Sequence, residues 1–220
     1  MNDTATPVIE SNLLLLYAHP DDAEIWSGGT LLKYAALNRR ITLIIATGNP
    51  QRRREAEASA AAVRNLSLIF LDGRTEDDFA QTKFAEIVAR KIEQERPATI
   101  ITHGHDDLHK DHQTCFRLLQ LSLFHLPRDM TVPKIFECNS YSGLTGNGNL
   151  FQPTTFVDIT AEANRKEELI RFHSSQRCEV YIDMCKRMEQ FYGLIAGVQR
   201  AEAFRRLVIR NSSTYHENII

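Results

Sequence analysis

The sequence lacks any apolar run that approaches the roughly 18 residues of a membrane-spanning helix. Its net charge is only -2, which gives no indication of a nucleic-acid or membrane partner. Residues 1–11 lack the basic start and the long apolar core of a signal peptide, so we expect a cytoplasmic protein. The four cysteines are scattered without a CxxC pair, and reduced thiols are therefore expected.

Short apolar segments alternate with longer segments of helical spacing in the first half of the chain. Because strictly alternating strands and helices imply right-handed crossovers, the sequence predicts an α/β fold with a mostly parallel sheet flanked by helices. We expect a tail of residues 1–11 and a single domain of residues 12–220. The first four predicted strands are rich in Ile and Leu, as in strands covered on both faces, and lie at residues 12–17, 41–46, 66–71 and 98–102.

The second half of the chain is less regular. Residues 134–139 and 155–159 have the composition of strands, and residues 204–209 predict a last strand. Residues 140–153 are rich in Gly, Asn and Ser, which predicts a loop that could cover a site.

The segment that follows the first predicted strand concentrates imidazole and carboxylate groups. The run YAHPDDAE at residues 17–24 contains His19, Asp21 and Asp22. Gathering such groups near a protein interior is costly unless something neutralises them, and a divalent metal is the natural candidate.

A second cluster of the same residue types follows the fourth predicted strand. Ligands bind beyond the carboxyl ends of the strands in open α/β sheets, so we expect both clusters on the same rim. Five of the eight histidines lie in the two clusters. The second cluster consists of His103, His105, Asp106, Asp107, His109, Asp111 and His112.

One His and one Asp from the first cluster, with one His from the second, would leave an open position on the metal, as in a catalytic zinc site. Two adjacent carboxylates suggest that Asp22 holds the metal while Asp21 takes a proton from the activated water. His109 and His112 share a helix face, so that one could bind metal while the other donates to an oxyanion. Asp111 could orient an imidazole.

The sequence also resembles a known family along nearly its whole length. The run AHPDDAE at residues 18–24, followed by GGT, looks like the signature of the LmbE/PIG-L zinc-dependent de-N-acetylases. The run HKDH at residues 109–112 is similar to the HxDH motif of that family. Four further segments resemble the RxxE, short-loop, HxSQ and AEAF motifs, namely REAE at 54–57, LDG at 71–73, HSSQ at 173–176 and AEAF at 201–204.

The resemblance implies a Rossmann-like fold and hydrolysis of an acetamide, usually on a sugar amine. It implies that zinc is held by His19, Asp22 and His112, although Fe²⁺ also suits two imidazoles and a carboxylate. Asp21 is then the general base, and His109 stabilises the tetrahedral intermediate or protonates the amine.

The resemblance also implies substrate contacts and an assembly. Arg54 would contact the substrate, and Glu24 would be a further polar contact or a loop brace. Family members often assemble as trimers or hexamers, so a homo-oligomer is expected, with no nucleic-acid or membrane partner.

The chain departs from the family pattern at two places. Lys110 stands where a proline is common, which adds a charge near the mouth of the site. Arg52, Arg53 and Arg54 are consecutive, so the sequence leaves open which arginine occupies the family position.

Two other functions fit parts of the sequence. Residues 103–109, HGHDDLH, are similar to the HxHxDH motif of dinuclear metallohydrolases, but Leu108 separates the acid from the final histidine. A nucleotide-binding or regulatory module is the second alternative. The first turn has no GxGxxG, and its two acids would repel a pyrophosphate.

Simpler structural roles are open for the same residues. The acids of the first cluster could cap a helix, and the second cluster could be a solvated helix start. His103 and His105 are as well explained by structural roles as by positions lining a pocket.

Overall fold

Seven strands form one sheet in the computed structural model of the protein, which describes residues 12–72 and 82–208. The strands are β1 (Leu13–Tyr17), β2 (Ile41–Ile45), β3 (Leu66–Phe70), β4 (Thr99–Thr102), β5 (Lys134–Glu137), β6 (Thr155–Asp158) and β7 (Ala201–Leu207). Their order across the sheet is β3-β2-β1-β4-β5-β7-β6.

The first five strands are parallel, and the last two are not. β1 pairs with β2 on one side and with β4 on the other, and β3 and β5 extend the sheet outwards. β7 runs antiparallel to both β5 and β6. The prediction of a mostly parallel, Rossmann-like sheet is therefore confirmed.

Six helices flank this sheet in the described part of the chain. β1 is covered on both faces, because Leu13, Leu15 and Tyr17 join one core and Leu14 and Leu16 join the other. This explains why its sequence is continuously apolar rather than alternating. The helices are α1 (Asp22–Ala36), α2 (Pro50–Ala61), α3 (Thr82–Glu95), α4 (Lys110–Phe124), α5 (Ala163–Arg171) and α6 (Cys178–Ala196).

Two predicted boundaries differ from the structure. The last strand begins at Ala201, three residues earlier than expected, because Glu202 interrupts the apolar pattern while being buried. The predicted end of this strand at residue 209 and the predicted tail of residues 1–11 lie outside the described residues. None of the described helices is both long enough and apolar enough to span a membrane.

The first helix is kinked where the sequence reads Ser-Gly-Gly-Thr. Ser27 has a non-helical φ of -143°, and a second helical segment begins after it. The carboxylate of Glu202 accepts hydrogen bonds from the backbone N–H groups of Gly29 and Thr30, both at 2.8 Å, and from the Thr30 hydroxyl at 2.6 Å. The carboxylate of Glu202 in β7 therefore caps the N-terminus of the second segment of α1. This contact joins the GGT and AEAF segments of the sequence.

The close approach at this kink explains one of the glycines. A Cβ atom at Gly29 would lie 2.5 Å from Cγ2 of Ile159, so no larger residue fits without a shift of the backbone. The carboxylate of Glu202 also binds Lys166, whose Nζ lies 2.7 Å from Oε1. Lys166 contacts Glu189 as well, at 2.6 Å, and all three side chains are buried.

We expect Glu202→Gln to lower the free energy of unfolding by about 3 kcal/mol, because it leaves a buried ammonium short of one carboxylate. Urea unfolding followed by circular dichroism measures this change. Glu168→Gln is the matched control, since Glu168 forms an exposed pair with Arg165 and should change stability little. Equal effects of the two substitutions would contradict this account of Glu202.

Candidate metal centre

The parallel pairing of β1 with β4 brings the two polar clusters to the same rim of the sheet. His19 and Asp22 follow the end of β1, and His103 follows the end of β4. The connection after β4 then leads to His109, which caps the N-terminus of α4, and to His112 in its first turn. The predicted meeting of the two segments is therefore found in the structure.

The turn after β1 is held in an uncommon conformation. Asp21 has a φ of 101°, in the left-handed region that residues with a side chain rarely adopt. The backbone N–H of His19 donates to Oδ2 of Asp22 at 2.7 Å, which closes the turn. Such backbone strain is commonly found at functional sites.

Two buried polar atoms at the centre of the cluster have no hydrogen-bond partner among the described residues. They are Oδ1 of Asp22 and Nε2 of His112, and they lie 3.8 Å apart. Both side chains are 0% exposed. Because buried polar atoms are nearly always satisfied in proteins, this pair fits a site for a cation.

Carboxylates hold the two flanking imidazoles so that one nitrogen of each faces Asp22. Oδ2 of Asp107 lies 2.9 Å from Nδ1 of His112, and Oδ2 of Asp111 lies 2.7 Å from Nε2 of His19. Nδ1 of His19 is then 3.3 Å from Oδ2 of Asp22. A carboxylate on the far nitrogen is the usual partner of a metal-binding histidine.

The charges of the cluster favour a positive ion at this position. Burial lowers the pKa of His19, but the carboxylates of Asp22 and Asp111 outweigh it and raise this pKa to about 9. Burial raises the pKa of Asp22, but the neighbouring histidines keep it well below its ordinary value. The potential ligand atoms of His19, Asp22 and His112 all lie within 4.8 Å of one another.

A second set of potential ligand atoms, from His19, His109 and Asp111, is equally close. Nδ1 of His109 accepts the backbone N–H of Asp111 at 3.2 Å. The Nε2 atom of His19 lies against Asp111, as described above. In this set, therefore, the nitrogen of His19 that faces Asp111 is already hydrogen-bonded, and no buried atom of the set lacks a partner among the described residues.

A third set combines His103 and Asp107 with His112. Nε2 of His103 accepts the backbone N–H of Ala18 at 3.1 Å, so its lone pair is also used. Burial, together with the repulsion from His112, lowers the pKa of His103 to about 4 and keeps this imidazole neutral. The set centred on Asp22 fits a metal ion best, and its members are those predicted from the sequence.

The carboxyl group of Asp21 is buried beside this centre. Burial and the charge of Asp22 raise its pKa to about 7, against the opposing effect of Arg52. Nη2 of Arg52 donates to Oδ1 of Asp21 at 2.6 Å and to the carbonyl oxygen of Pro20 at 2.5 Å. One guanidinium therefore holds both the side chain of Asp21 and the peptide before it.

The substrate contact of Arg54 stays a prediction. The side chain of Arg54 is exposed, whereas Arg52 reaches the rim. Residues two apart on a helix point to different sides, while residues three apart share a side. Glu55 accordingly lies on the side of Arg52, and its carboxylate accepts the backbone N–H of Ser175 at 2.8 Å. Residues 52–55 also read RxxE, and the two ends of this run lie on the same side of α2.

Glu24 lies beneath the centre and connects three elements. It is buried, it accepts the hydroxyl of Ser59 at 2.6 Å, and it lies 3.3 Å from Nε2 of His173. These contacts use its carboxylate to join α1, α2 and the segment after α5. They match the loop-brace alternative for Glu24 and leave its substrate contact without support.

The structure gives His103 and His105 different positions. His103 is buried behind the centre, and its ring stacks on that of His112 with centroids 3.7 Å apart. His105 is half exposed, and its Nδ1 atom lies 2.7 Å from Oε1 of Glu137. Sequence reasoning gave no role to Asp107, although its place just before an HxDH motif could have marked it as a partner of His112.

Comparison with known proteins agrees with these features. Residues 14–121 match the family described as PIG-L, GlcNAc-PI de-N-acetylase. The chain thus carries a PIG-L family region. This range contains both polar clusters of the candidate centre.

Two curated relatives of this chain are 1D-myo-inositol 2-acetamido-2-deoxy-alpha-D-glucopyranoside deacetylases. The protein of Actinosynnema mirum is 40% identical over 67 residues, which are 30% of this chain and 21% of that protein. The protein of a Nocardioides species is 51% identical over 39 residues, which are 18% of this chain and 13% of that protein. The matches therefore span about a fifth or less of these relatives.

Solved structures share the fold over most of its length. The N,N'-diacetylchitobiose deacetylase of Pyrococcus horikoshii has a TM-score of 0.72 at 20% identity, covering 90% of this chain and 84% of that one. GalB, the 4-carboxy-2-hydroxymuconate hydratase of Pseudomonas putida, has a TM-score of 0.73 at 18% identity, covering 91% and 97%. A deacetylase and a hydratase thus share this fold, so the fold alone does not select the reaction.

We expect Asp107→Asn to weaken zinc binding by about 10- to 100-fold, because Asp107 holds the imidazole of His112. Competition with a chromogenic chelator measures this affinity without any assay of activity. Asp129→Asn is the control, since Asp129 is an exposed acid on the connection between α4 and β5. An unchanged affinity of the Asp107 variant would separate Asp107 from the metal centre.

Proposed function

We propose that the protein is a metal-dependent hydrolase that removes the acetyl group from an N-acetylated amino sugar or from a glycoside of one. The observation that carries this proposal is the buried carboxyl group of Asp21, with a pKa of about 7, directly beside the unpartnered atoms of Asp22 and His112. A base with a pKa near the working pH is suited to proton transfer. The family match and the names of the curated relatives support the choice of a deacetylase.

We assign the metal to His19, Asp22 and His112, with zinc as the expected ion and Fe²⁺ as an alternative. Such an ion, when bound, polarises the acetamide carbonyl and lowers the pKa of a water molecule to about 7. The two imidazoles are already oriented by Asp107 and Asp111. We therefore assign Asp111 a positioning role, as the partner of His19.

Asp21 takes a proton from the water whose oxygen adds to the acetamide carbon. Arg52 fixes the carboxylate for this step through its 2.6 Å contact with Oδ1. The C–N bond then breaks, its electron pair passes to nitrogen, and the nitrogen takes up a proton. The products are acetate and the free amine.

His109 supplies a donor at the exposed edge of the centre. Because its Nδ1 atom accepts the N–H of Asp111, the proton of the neutral imidazole is on Nε2. Burial and the neighbouring His112 and His19 lower the pKa of His109, which favours this neutral form. Its N–H can stabilise the oxyanion of the tetrahedral intermediate or approach the leaving nitrogen.

The remaining assignments stay proposals. The substrate is a small N-acetylated sugar, the protein acts in the cytoplasm, and its chains form a homo-oligomer. A dinuclear centre has less support, because among the candidate ligands of the described residues the buried atoms without a hydrogen-bond partner are Oδ1 of Asp22 and Nε2 of His112, which form one facing pair. A metal count of one ion per chain would agree with this assignment.

Asp21→Asn should retain one metal equivalent and lower the rate of acetate release about a thousandfold, because an amide cannot accept the proton. Asn tolerates the left-handed backbone of this position, so the turn is preserved. Elemental analysis and an acetate assay on N-acetylglucosamine measure the two quantities. Activity equal to that of the parent would exclude Asp21 as the base.

Arg52→Ala should lower the rate of acetate release about a hundredfold, since the carboxylate of Asp21 loses its orienting partner. Arg54→Ala removes the same charge two residues away on the same helix and should leave the rate within about twofold, as expected for an exposed surface position. Both variants should keep the metal. A larger loss of rate in Arg54→Ala than in Arg52→Ala would show that Arg54, and not Arg52, acts at the site.

A further inference from the structure

Two tyrosines from separate elements meet beside the candidate metal centre. Tyr141 lies in the loop after β5, and Tyr181 lies in the first turn of α6. Their ring centroids are 5.7 Å apart, at an angle of 37°. The ring of Tyr141 is also 5.9 Å from that of His112, so this pair lies directly beside the site.

Contacts with α1 and within its own loop fix the position of the Tyr141 ring. Trp26 of α1 contacts it edge to face, with centroids 4.9 Å apart. The residue before it, Ser140, donates its hydroxyl to the carbonyl oxygen of Leu144 at 2.7 Å, which fixes the turn of the loop. The position of Tyr141 is therefore set before any ligand arrives.

These two tyrosines differ in exposure from the buried tyrosines. Tyr17 donates to Oγ of Ser27 at 3.0 Å, and Tyr192 accepts from Asn139 at 2.7 Å. Tyr141 and Tyr181, in contrast, are only partly buried at the edge of the core.

We propose that Tyr141 and Tyr181 form a wall that binds the pyranose ring of the substrate. The rings would pack against the apolar face of the sugar, and the hydroxyls would bond to its hydroxyl groups. This proposal rests on the proposed function and makes it more specific. It predicts tighter binding and a lower KM for cyclic N-acetyl sugars than for acyclic acetamides, because only a pyranose ring can contact the wall.

The chain contains a natural reporter for this wall. Trp26 is the single tryptophan of the sequence, and it touches Tyr141. Its fluorescence can therefore follow binding of N-acetylglucosamine and of the acyclic N-acetylethanolamine, without any dependence on turnover. The acetate assay on the same two compounds gives kcat and KM.

Tyr181→Ala should weaken binding of N-acetylglucosamine about tenfold and raise its KM by a similar factor, with little change in kcat. N-acetylethanolamine should be unaffected. Tyr181→Phe and Tyr141→Phe keep the rings and should show smaller losses, which separates stacking from hydrogen bonding. Phe191→Ala is the control, since Phe191 is an aromatic residue on the same helix that is 58% exposed.

The outcomes separate the wall from the reaction. Sugar binding that is lost in Tyr181→Ala, in a protein that releases no acetate from either compound, supports the wall and overturns the hydrolase. Acetate release with equal KM for the sugar in the parent and in both Tyr181 variants overturns the wall and keeps the hydrolase. Absence of both sugar binding and acetate release in the parent overturns both proposals.

Discussion

The parallel pairing between β1 and β4 is the constraint on which the rest of the site depends. It sets the ends of two strands side by side, although about ninety residues of chain separate them. The cost of collecting Asp21, Asp22 and three imidazoles at one buried edge is offset because each group has an assigned neighbour. Among the described acids and histidines at this edge, Oδ1 of Asp22 and Nε2 of His112 are the buried atoms left without a hydrogen-bond partner.

Carboxylates outside the candidate metal centre fix the positions of the connection after β4 and of α1, which contribute its residues. Arg205 of β7 donates to Asp106 at 2.6 Å and to Glu137 at 2.7 Å, which ties the connection after β4 to the neighbouring strands. Glu202 of β7 likewise holds the kinked first helix through the backbone of Gly29, and Lys166 of α5 binds the same carboxylate. The AHPDDAE and HKDH motifs therefore lie at the candidate site, whereas the GGT and AEAF motifs hold α1 against β7. Both groups contain buried charged side chains.

The shared fold of deacetylases and a hydratase shows where specificity must lie. A sheet of this topology offers one rim for ligands, and the loops around that rim differ between proteins. In this chain the loop after β5 and the start of α6 contribute tyrosines, and α2 contributes Arg52. In the proposed function, these side chains rather than the sheet select the substrate that approaches Asp21.

The sequence by itself determined the parallel sheet and the meeting of the two polar segments at one rim, because apolar runs mark buried strands and each segment follows such a strand. The choice of His19, Asp22 and His112 as metal ligands came from the family resemblance, and the structure brings their potential ligand atoms together. The sequence did not determine which arginine of the run 52–54 reaches the site, since that depends on the rotation of α2 against the sheet. Nor could it bring Tyr141 to Tyr181 or Arg205 to Asp106. Such contacts join separate elements, and only tertiary packing fixes the distances between them.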